Sequence, residues 1–179
     1  VGGDTTRGPL SLTVTVFGRL PAGQALTRSG ARPGDLLCVG GELGDAAGAL
    51  PLVLGQCQES GLAAEQLLQR YWAPQPQLPL GLLLRGKATA ALDISDGLLA
   101  DCGHIAAASG LALHIELARV PLSPALQTIA GAAARDCALA GGDDYVLAFT
   151  LPPEHLAAVQ AAWPATVVIG RALAGAGVA

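Results

Sequence analysis

The sequence contains no methionine, and no run of apolar residues in it is long enough to cross a membrane. A membrane-spanning helix needs about 18 or more consecutive apolar residues. The hydrophobic residues make up 51% of the chain and are dispersed, so we expect a globular core and no membrane partner. Because the chain opens on VGGDTTRGPL without a methionine, we also expect it to be a fragment of a longer protein.

Positive charge is scarce and scattered along the chain. The sequence has 10 Lys and Arg residues against 14 acidic ones, which gives a formal net charge of −4. Proteins that bind nucleic acid or an anionic membrane surface usually concentrate Lys and Arg on one face. The composition therefore disfavours both kinds of partner.

The cysteines form no C-x-x-C pair. Cys38, Cys57, Cys102 and Cys137 lie far apart, and no signal peptide precedes them. This pattern predicts buried, reduced thiols in a cytoplasmic protein, with disulfides or a metal site as the alternative.

Several common catalytic and nucleotide-binding signatures are also missing. The sequence has no G-x-G-x-x-G, no Walker phosphate loop and no G-x-S-x-G nucleophile elbow. His104, His114 and His155 show no metal-ligand spacing, so we expect them to have core or surface roles. If the protein handles a nucleotide, it must do so by another design.

Apolar periodicity predicts helices and strands in alternation, which is typical of an α/β or α+β layered domain. The predicted strands are 10–19, 36–41, 89–94, 111–116, 144–150 and 166–170. The predicted helices are 42–56 (interrupted near Pro51), 62–71, 97–109, 122–134 and 153–162, with a loop at 20–35 and a proline-rich connection at 73–81.

Two segments near the start of the chain could contact a ligand. In VGGDTTRG (1–8), Gly3 would let the backbone approach a ligand and Asp4 offers oxygens to a hard cation, although a terminal glycine-rich turn explains the same letters. In LTRSGARPGD (26–35), Arg28 and Arg32 could bind phosphate, although most loop arginines are only solvated.

The segment LDISDGLLAD (92–101) places three aspartates where a strand pattern changes to a helix pattern. Asp96 or Ser95 could cap the helix, and Asp101 could favour its positive end. Asp93 is harder to explain in this way, because a strand of this kind should bury its side chains and a buried carboxylate needs a partner. Carboxylates at a strand end suit Mg²⁺, which is usually shared with substrate phosphates.

The segment LAGGDDYVLAFT (139–150) carries a further acidic pair beside an aromatic residue. Two glycines precede Asp143, Asp144 and Tyr145, and a strand pattern follows. A two-glycine turn explains the letters, but paired acids beside an aromatic ring also suit a cationic or hydroxylated substrate.

Taken in order, GGDTTRGPLSLTVTVFG, ALTRSGARPGD, LDISDGLLAD and GGDDYVLAFT closely resemble the thiamine-monophosphate kinases, a family of the aminoimidazole ribonucleotide synthetase-like superfamily. The family uses ATP to phosphorylate thiamine monophosphate to thiamine pyrophosphate. The resemblance implies a homodimer of two-domain subunits. It implies that residues 1–30 are the end of the N-terminal ATP-binding and dimerisation domain, with a remnant strand, and that 31–179 are most of the C-terminal α/β domain.

The same resemblance implies roles for individual residues. It makes Gly3, Asp4, Arg28 and Ser95 ATP contacts, and it makes Asp4 and two further aspartates, Asp93 and Asp96, ligands of Mg²⁺. It places Asp143 at a substrate contact that is usually glutamate, so this chain is shorter there by one methylene. No covalent enzyme nucleophile is implied, because direct phosphoryl transfer relies on positioning and charge neutralisation.

Two other interpretations remain open at this stage. The chain could belong to another ATP-dependent enzyme of the same superfamily that acts on an amidine, selenide or carbamoyl group. It could also be a non-catalytic binding module whose aspartates serve as helix caps.

Overall fold

The computed structural model describes residues 8–10 and 12–179. The strands are β1 (Leu36–Val39), β2 (Ala90–Asp93), β3 (Ala112–Ile115), β4 (Leu147–Leu151), β5 (Val167–Leu173) and β6 (Gly177–Val178). The α-helices are α1 (Asp45–Val53), α2 (Leu62–Trp72), α3 (Leu78–Leu84), α4 (Leu98–Ser109), α5 (Pro124–Ala130), α6 (Ala134–Ala140) and α7 (Leu156–Ala162). Short 3₁₀ turns lie at Leu117–Arg119, Gly131–Ala133 and Pro153–His155.

The strands form one sheet in the order β2-β4-β1-β5-β3-β6. Neighbouring strands pair antiparallel, except that β6 lies parallel to β3. The architecture is therefore a layered α+β domain, which confirms the predicted fold class. Because β2 is an edge strand, the turn that follows it lies at the rim of the sheet.

Helices cover both faces of the sheet, as the alternation of side chains along the strands requires. In β1, Leu37 and Val39 join a core that includes residues of α4 and α6. Cys38, between them, points to the opposite face and packs with residues of α3 and α7. Helices α1, α2 and α5 contribute to a third apolar cluster. Within the described residues, no helix has the length and apolarity needed to span a membrane.

The predicted strand at 10–19 does not form within its described part, residues 12–19. Leu12, Val14 and Val16 are each 84% exposed, and Phe17 is 92% exposed. A strand needs a neighbouring backbone for its hydrogen bonds, and the described residues provide none at this place. The strand predicted at 10–19 is therefore absent from the described residues 12–19, and the alternating apolar side chains there face solvent.

The predicted connection at 73–81 contains the start of α3. Proline is tolerated in the first turn of a helix, where its missing N–H has no intrahelical partner, and Pro79 occupies such a position. Likewise Pro51 lies inside α1, which continues to Val53 instead of breaking at the proline. By contrast, the single helix predicted at 122–134 is interrupted at Gly131, which has a φ of 54°.

The cysteines are free, as the sequence predicts. Cys38 and Cys102 are buried, and Cys57 and Cys137 are half-buried. Burial raises the pKa of the Cys38 thiol to about 12, and burial together with the Asp101 charge raises the pKa of Cys102 to about 12. Since only thiolates are good nucleophiles and metal ligands, these two thiols act as apolar core groups.

Candidate functional site

The turn from β2 to α4 presents two carboxylates to solvent. Asp93 is the last residue of β2 and is exposed, whereas the three residues before it are buried. Asp96 is also exposed. The prediction that the Asp93 side chain is buried is therefore wrong. The side chain stands at the end of an edge strand and borders an open groove.

Neither Ser95 nor Asp96 caps α4. The residue at the N-cap position is Gly97, with a φ of 110°, and no side chain at that position accepts a cap hydrogen bond. The side chain of Asp101 instead reaches back to the turn, where its Oδ2 atom accepts hydrogen bonds from the N–H of Ser95 at 2.9 Å and the N–H of Asp96 at 3.0 Å. Asp101 does lie in the first helical turn, but its carboxylate shapes the preceding loop.

The loop that carries Asp143 and Tyr145 packs directly against this turn. The N–H of Asp143 donates to the carbonyl oxygen of Ser95 at 3.0 Å, and the N–H of Tyr145 donates to that of Ile94 at 2.8 Å. A Cβ atom at Gly142 would collide with the Ser95 carbonyl oxygen, so the second glycine of the GGDDY motif permits this close approach. The two acidic segments thus meet in one site.

Two non-glycine residues of this loop adopt left-handed backbone conformations. Asp143 has a φ of 65° and Tyr145 a φ of 53°. Such conformations cost free energy and persist where surrounding contacts enforce them, often at functional sites. They hold the two side chains together, and the Tyr145 hydroxyl donates to Asp143 Oδ1 at 2.8 Å.

The site is strongly negative around Tyr145. The hydrogen bond to Asp143 and the charge of that carboxylate are the main causes that raise the pKa of Tyr145, and burial and the charges of Asp93 and Asp96 add to them. The negative charges of all three carboxylates disfavour ionisation of the Tyr145 hydroxyl. Such a concentration of negative charge favours a cation or a cationic ligand.

Asp144 points away from this cluster. Both of its carboxylate oxygens contact the N–H of Gly44, at 2.8 and 3.0 Å, where α1 begins. Burial raises the pKa of Asp144 to about 7, against the lowering effect of the Gly44 N–H, and the charge of Asp45 raises it further while Arg70 lowers it. Asp144 therefore fastens the loop to α1, and Asp143 and Tyr145 are left exposed.

An open groove of about 730 Å³ adjoins the carboxylates. Asp93, Tyr145 and Leu147 line it together with residues of the 74–82 segment. Gln77 fixes one wall, because its Nε2 donates to the Gly40 carbonyl oxygen at 3.0 Å and its Oε1 accepts from the N–H of Leu147 at 2.9 Å. The sequence interpretation missed this wall, although the spacing of Leu78 and Leu82 was a helical signal.

The remaining site residues predicted from the sequence lie elsewhere. Gly3 and Asp4 fall outside the described residues. Arg28 is exposed in the loop before β1, and its carbonyl oxygen accepts from Ser109 Oγ at 3.3 Å, at the C-terminal end of α4. The described hydrogen bonds and ion pairs do not join Arg28 to the aspartates, which lie at the other end of that helix.

The chemistry of the exposed carboxylates fits Mg²⁺ shared with phosphate. Within residues 8–10 and 12–179, no group of three or more His, Cys, Asp or Glu side chains could form a metal site by itself. Mg²⁺, however, usually takes one or two carboxylates and completes its octahedron with water and substrate phosphates. Asp93 and Asp96 are exposed and near one another in the turn, so the pair suits such a shared ion.

Relatives of this chain are thiamine-monophosphate kinases. The protein of that name from Escherichia coli K12 is 44% identical over 164 residues, which cover 90% of this chain and 50% of the relative. The one from Caulobacter vibrioides is 41% identical over 192 residues, covering 99% of this chain and 53% of the relative. The chain thus spans about half the length of these relatives.

Solved structures give the same picture. The crystal structure of thiamine-monophosphate kinase from Stenotrophomonas maltophilia has a TM-score of 0.83 and 44% identity, over 89% of this chain and 54% of that one. A structure described as AaThiL complexed with AMPPCP and TMP has a TM-score of 0.76 and 35% identity, over 86% and 50%. Escherichia coli HypE, at 22% identity and a TM-score of 0.70 over 90% and 50%, shares the fold alone.

A family model covers most of the chain. Residues 32–179 match the model described as AIR synthase related protein, C-terminal domain. This range contains the whole sheet and both acidic segments of the candidate site. The chain therefore belongs to the AIR synthase related protein, C-terminal domain family.

Proposed function

We propose that the full-length protein containing this chain transfers the γ-phosphoryl group of ATP to the phosphate of thiamine monophosphate, producing thiamine pyrophosphate. The observation that carries the proposal is the meeting of Asp93, Asp96 and the Asp143–Tyr145 pair beside one groove. The named relatives and the neighbour complexed with AMPPCP and TMP support the choice of substrates. The reaction belongs to thiamine biosynthesis.

Asp93 and Asp96 would hold Mg²⁺, with Asp4 as a further ligand. When bound, the ion would neutralise charge on the phosphate oxygens. The two described carboxylates are suited to this role because they are exposed at a turn whose backbone is fixed on both sides. Phosphoryl transfer needs little covalent chemistry from the protein, so positioning and electrostatics suffice.

The other assigned residues would orient the two substrates. Gly3 and Arg28 would contact ATP, and Ser95 would do so from between the two metal ligands. Because the Ser95 N–H already donates to Asp101, its contact with ATP would use the hydroxyl group. Asp143 would contact thiamine monophosphate, and the Tyr145 hydroxyl holds its carboxylate in place.

We further propose that residues 1–30 end an N-terminal ATP-binding and dimerisation domain, that 31–179 form the C-terminal domain, and that the full-length protein is a cytoplasmic homodimer. The exposed alternation at 12–17 supports the first point, because such a pattern is typical of a strand buried on one face. The free thiols are compatible with a reducing compartment. Without the preceding domain, the isolated chain would be inactive.

The test is a kinase assay of the full-length protein with ATP, Mg²⁺ and thiamine monophosphate. We expect thiamine pyrophosphate to form, and we expect Asp93→Asn to lower kcat roughly 100-fold or more, because one charge-stabilising ligand is lost. Asp136→Asn, a substitution of an exposed acid in α6, is the control and should leave kcat unchanged. Absence of thiamine pyrophosphate with the folded wild-type protein would reject the proposed substrate.

A further inference from the structure

Asp101 is a buried carboxylate within a segment whose other aspartates are exposed. Its side chain lies in the core with 2% residual exposure. One oxygen, Oδ2, receives the backbone N–H groups of Ser95 and Asp96 at 2.9 and 3.0 Å. Burying a carboxylate costs free energy unless hydrogen bonds compensate for the lost water. The two N–H groups provide this compensation for Asp101.

An attraction to the positive end of α4 does not explain this geometry. A carboxylate that only favours the helix dipole can remain in solvent near the first turn. The Asp101 carboxylate instead turns back by five and six residues, to amides that precede the helix. Its own N–H donates to the carbonyl oxygen of Gly97, so the first helical turn is closed independently of the side chain.

The two amides that Asp101 binds belong to the proposed ATP contact and to one proposed metal ligand. The other side of the turn is fixed as well, because the Ile94 carbonyl oxygen accepts from the N–H of Tyr145 at 2.8 Å and the Ser95 carbonyl oxygen accepts from the N–H of Asp143 at 3.0 Å. With both sides of each peptide plane held, the Cα–Cβ direction of Asp96 is set relative to Asp93 at the end of β2.

We propose that Asp101 is a positioning residue that holds the 94–97 turn in the conformation needed for Asp93 and Asp96 to share one Mg²⁺ ion. The inference rests on the proposed function, since it assumes that these two carboxylates bind the ion. Asp101 itself does not contact metal or substrate. It also occupies two adjacent amides that would otherwise form an anion site, so phosphate must be bound through other groups.

The test measures the Mg²⁺ dependence of AMPPCP binding by calorimetry, using the full-length protein. Asp101→Ala should raise the Mg²⁺ concentration for half-maximal binding about 10-fold or more, in the range found when supporting partners of metal ligands are removed. Asp101→Asn should restore most of the affinity, because an amide oxygen can still accept from both N–H groups. Asp136→Asn is the matched control, an acid in the first turn of α6 that is exposed.

A second readout separates positioning from general stability. The amide proton resonances of Ser95 and Asp96 should shift in Asp101→Ala and return toward their wild-type positions in Asp101→Asn. If Asp101→Ala does not fold, Asp101→Ser replaces it, since its hydroxyl is too short to reach both amides. A folded Ala or Ser variant with an unchanged Mg²⁺ dependence would overturn the positioning role, whereas absence of Mg²⁺-dependent binding in the wild type would overturn the proposed function as well.

Discussion

The two acidic segments of the site look alike in sequence, but the aspartate that each turns inward binds a backbone amide at a very different separation along the chain. In 92–101, Asp101 binds amides five and six residues before it. In 139–150, Asp144 binds the amide of Gly44, 100 residues away. Each segment thus turns one aspartate inward to the backbone and leaves the others exposed. The inward acid of the first segment shapes a turn, and that of the second docks a loop onto a helix.

The inward-facing aspartate of the second segment, Asp144, lies in a distinctive electrostatic environment. Asp144 lies beside another acid, Asp45, and its pKa is raised to about 7 with burial as the main cause. Asp45 itself accepts from the Ser123 hydroxyl at 2.6 Å and lies 3.6 Å from Arg70 Nε. The docking of the second segment therefore depends on pH, mainly because the Asp144 carboxylate is buried and to a smaller degree because Asp45 is charged.

The largest expected effect is the pH dependence that Asp144 adds to stability. Between the ordinary aspartate pKa of 3.8 and the folded-state value of about 7, the unfolded chain releases a proton that the folded protein keeps. Raising the pH across this window therefore lowers the free energy of unfolding, by up to about 4 kcal/mol from this group alone. Above pH 7 both states are ionised and the contribution becomes constant.

Asp144→Asn should remove this slope, because an amide does not titrate but can still accept from Gly44. Chemical denaturation of wild type and variant at several pH values between 4 and 8 measures the difference. The variant should become more stable relative to wild type as the pH rises. A difference that stays constant across the range would show that Asp144 has an ordinary pKa and that the two segments do not differ in this respect.

The next effect concerns the contact that joins the segments. Gly142→Ala places a Cβ atom against the Ser95 carbonyl oxygen, with the Asp96 Cα atom at 3.4 Å, so the two loops must separate. We expect a loss of about 1–3 kcal/mol in the free energy of unfolding and a higher KM for thiamine monophosphate in the full-length protein.

Gly103→Ala is the matched control for this substitution. A Cβ atom at Gly103 has no heavy atom within 4 Å, and the residue lies inside α4. Alanine there should stabilise the protein by about 0.5–1 kcal/mol through helix propensity, without changing KM. If Gly142→Ala behaves like Gly103→Ala, the close approach of the loops is not required.

Much of the layered fold could be predicted from local patterns. Short apolar runs locate the sheet strands from β1 to β5, and the helical spacing locates α2 and α4, because burial within an element is recorded in nearby residues. The acidic motifs likewise indicate Asp93 and Asp96 as a group, although the strand pattern predicts a buried Asp93 and the side chain is exposed.

Features that depend on distant partners could not be predicted in this way. The alternation at 12–17 is that of a strand, yet no described backbone pairs with it, so the pattern alone does not produce one. The roles of Asp144 and Gln77 depend on amides 100 and 70 residues away. Asp101 has local partners, but its letters fit both a dipole interaction and a backbone clamp, and only the side-chain geometry distinguishes them.

The smallest expected effect concerns the hydrogen bond between the outward-facing side chains of the second segment. Tyr145→Phe removes the hydroxyl that donates to Asp143 Oδ1 at 2.8 Å. Tyr145 is 36% exposed, so the free energy of unfolding should change by no more than about 0.5 kcal/mol. A net hydrogen bond is worth about 0.5–1.5 kcal/mol. If Asp143 contacts the substrate in the orientation that Tyr145 gives it, the substitution should raise the KM for thiamine monophosphate roughly 2- to 10-fold.

Steady-state kinetics with thiamine monophosphate measure this change, with kcat expected to stay near the wild-type value because the turn that carries the proposed metal ligands is untouched. Tyr71→Phe, at a tyrosine that packs edge-on against Trp72 in α2, is the control for loss of a phenolic hydroxyl. An unchanged KM in Tyr145→Phe would mean that the short Asp143 side chain reaches its partner without this support. The left-handed backbone at both residues would then be the feature that directs the carboxylate.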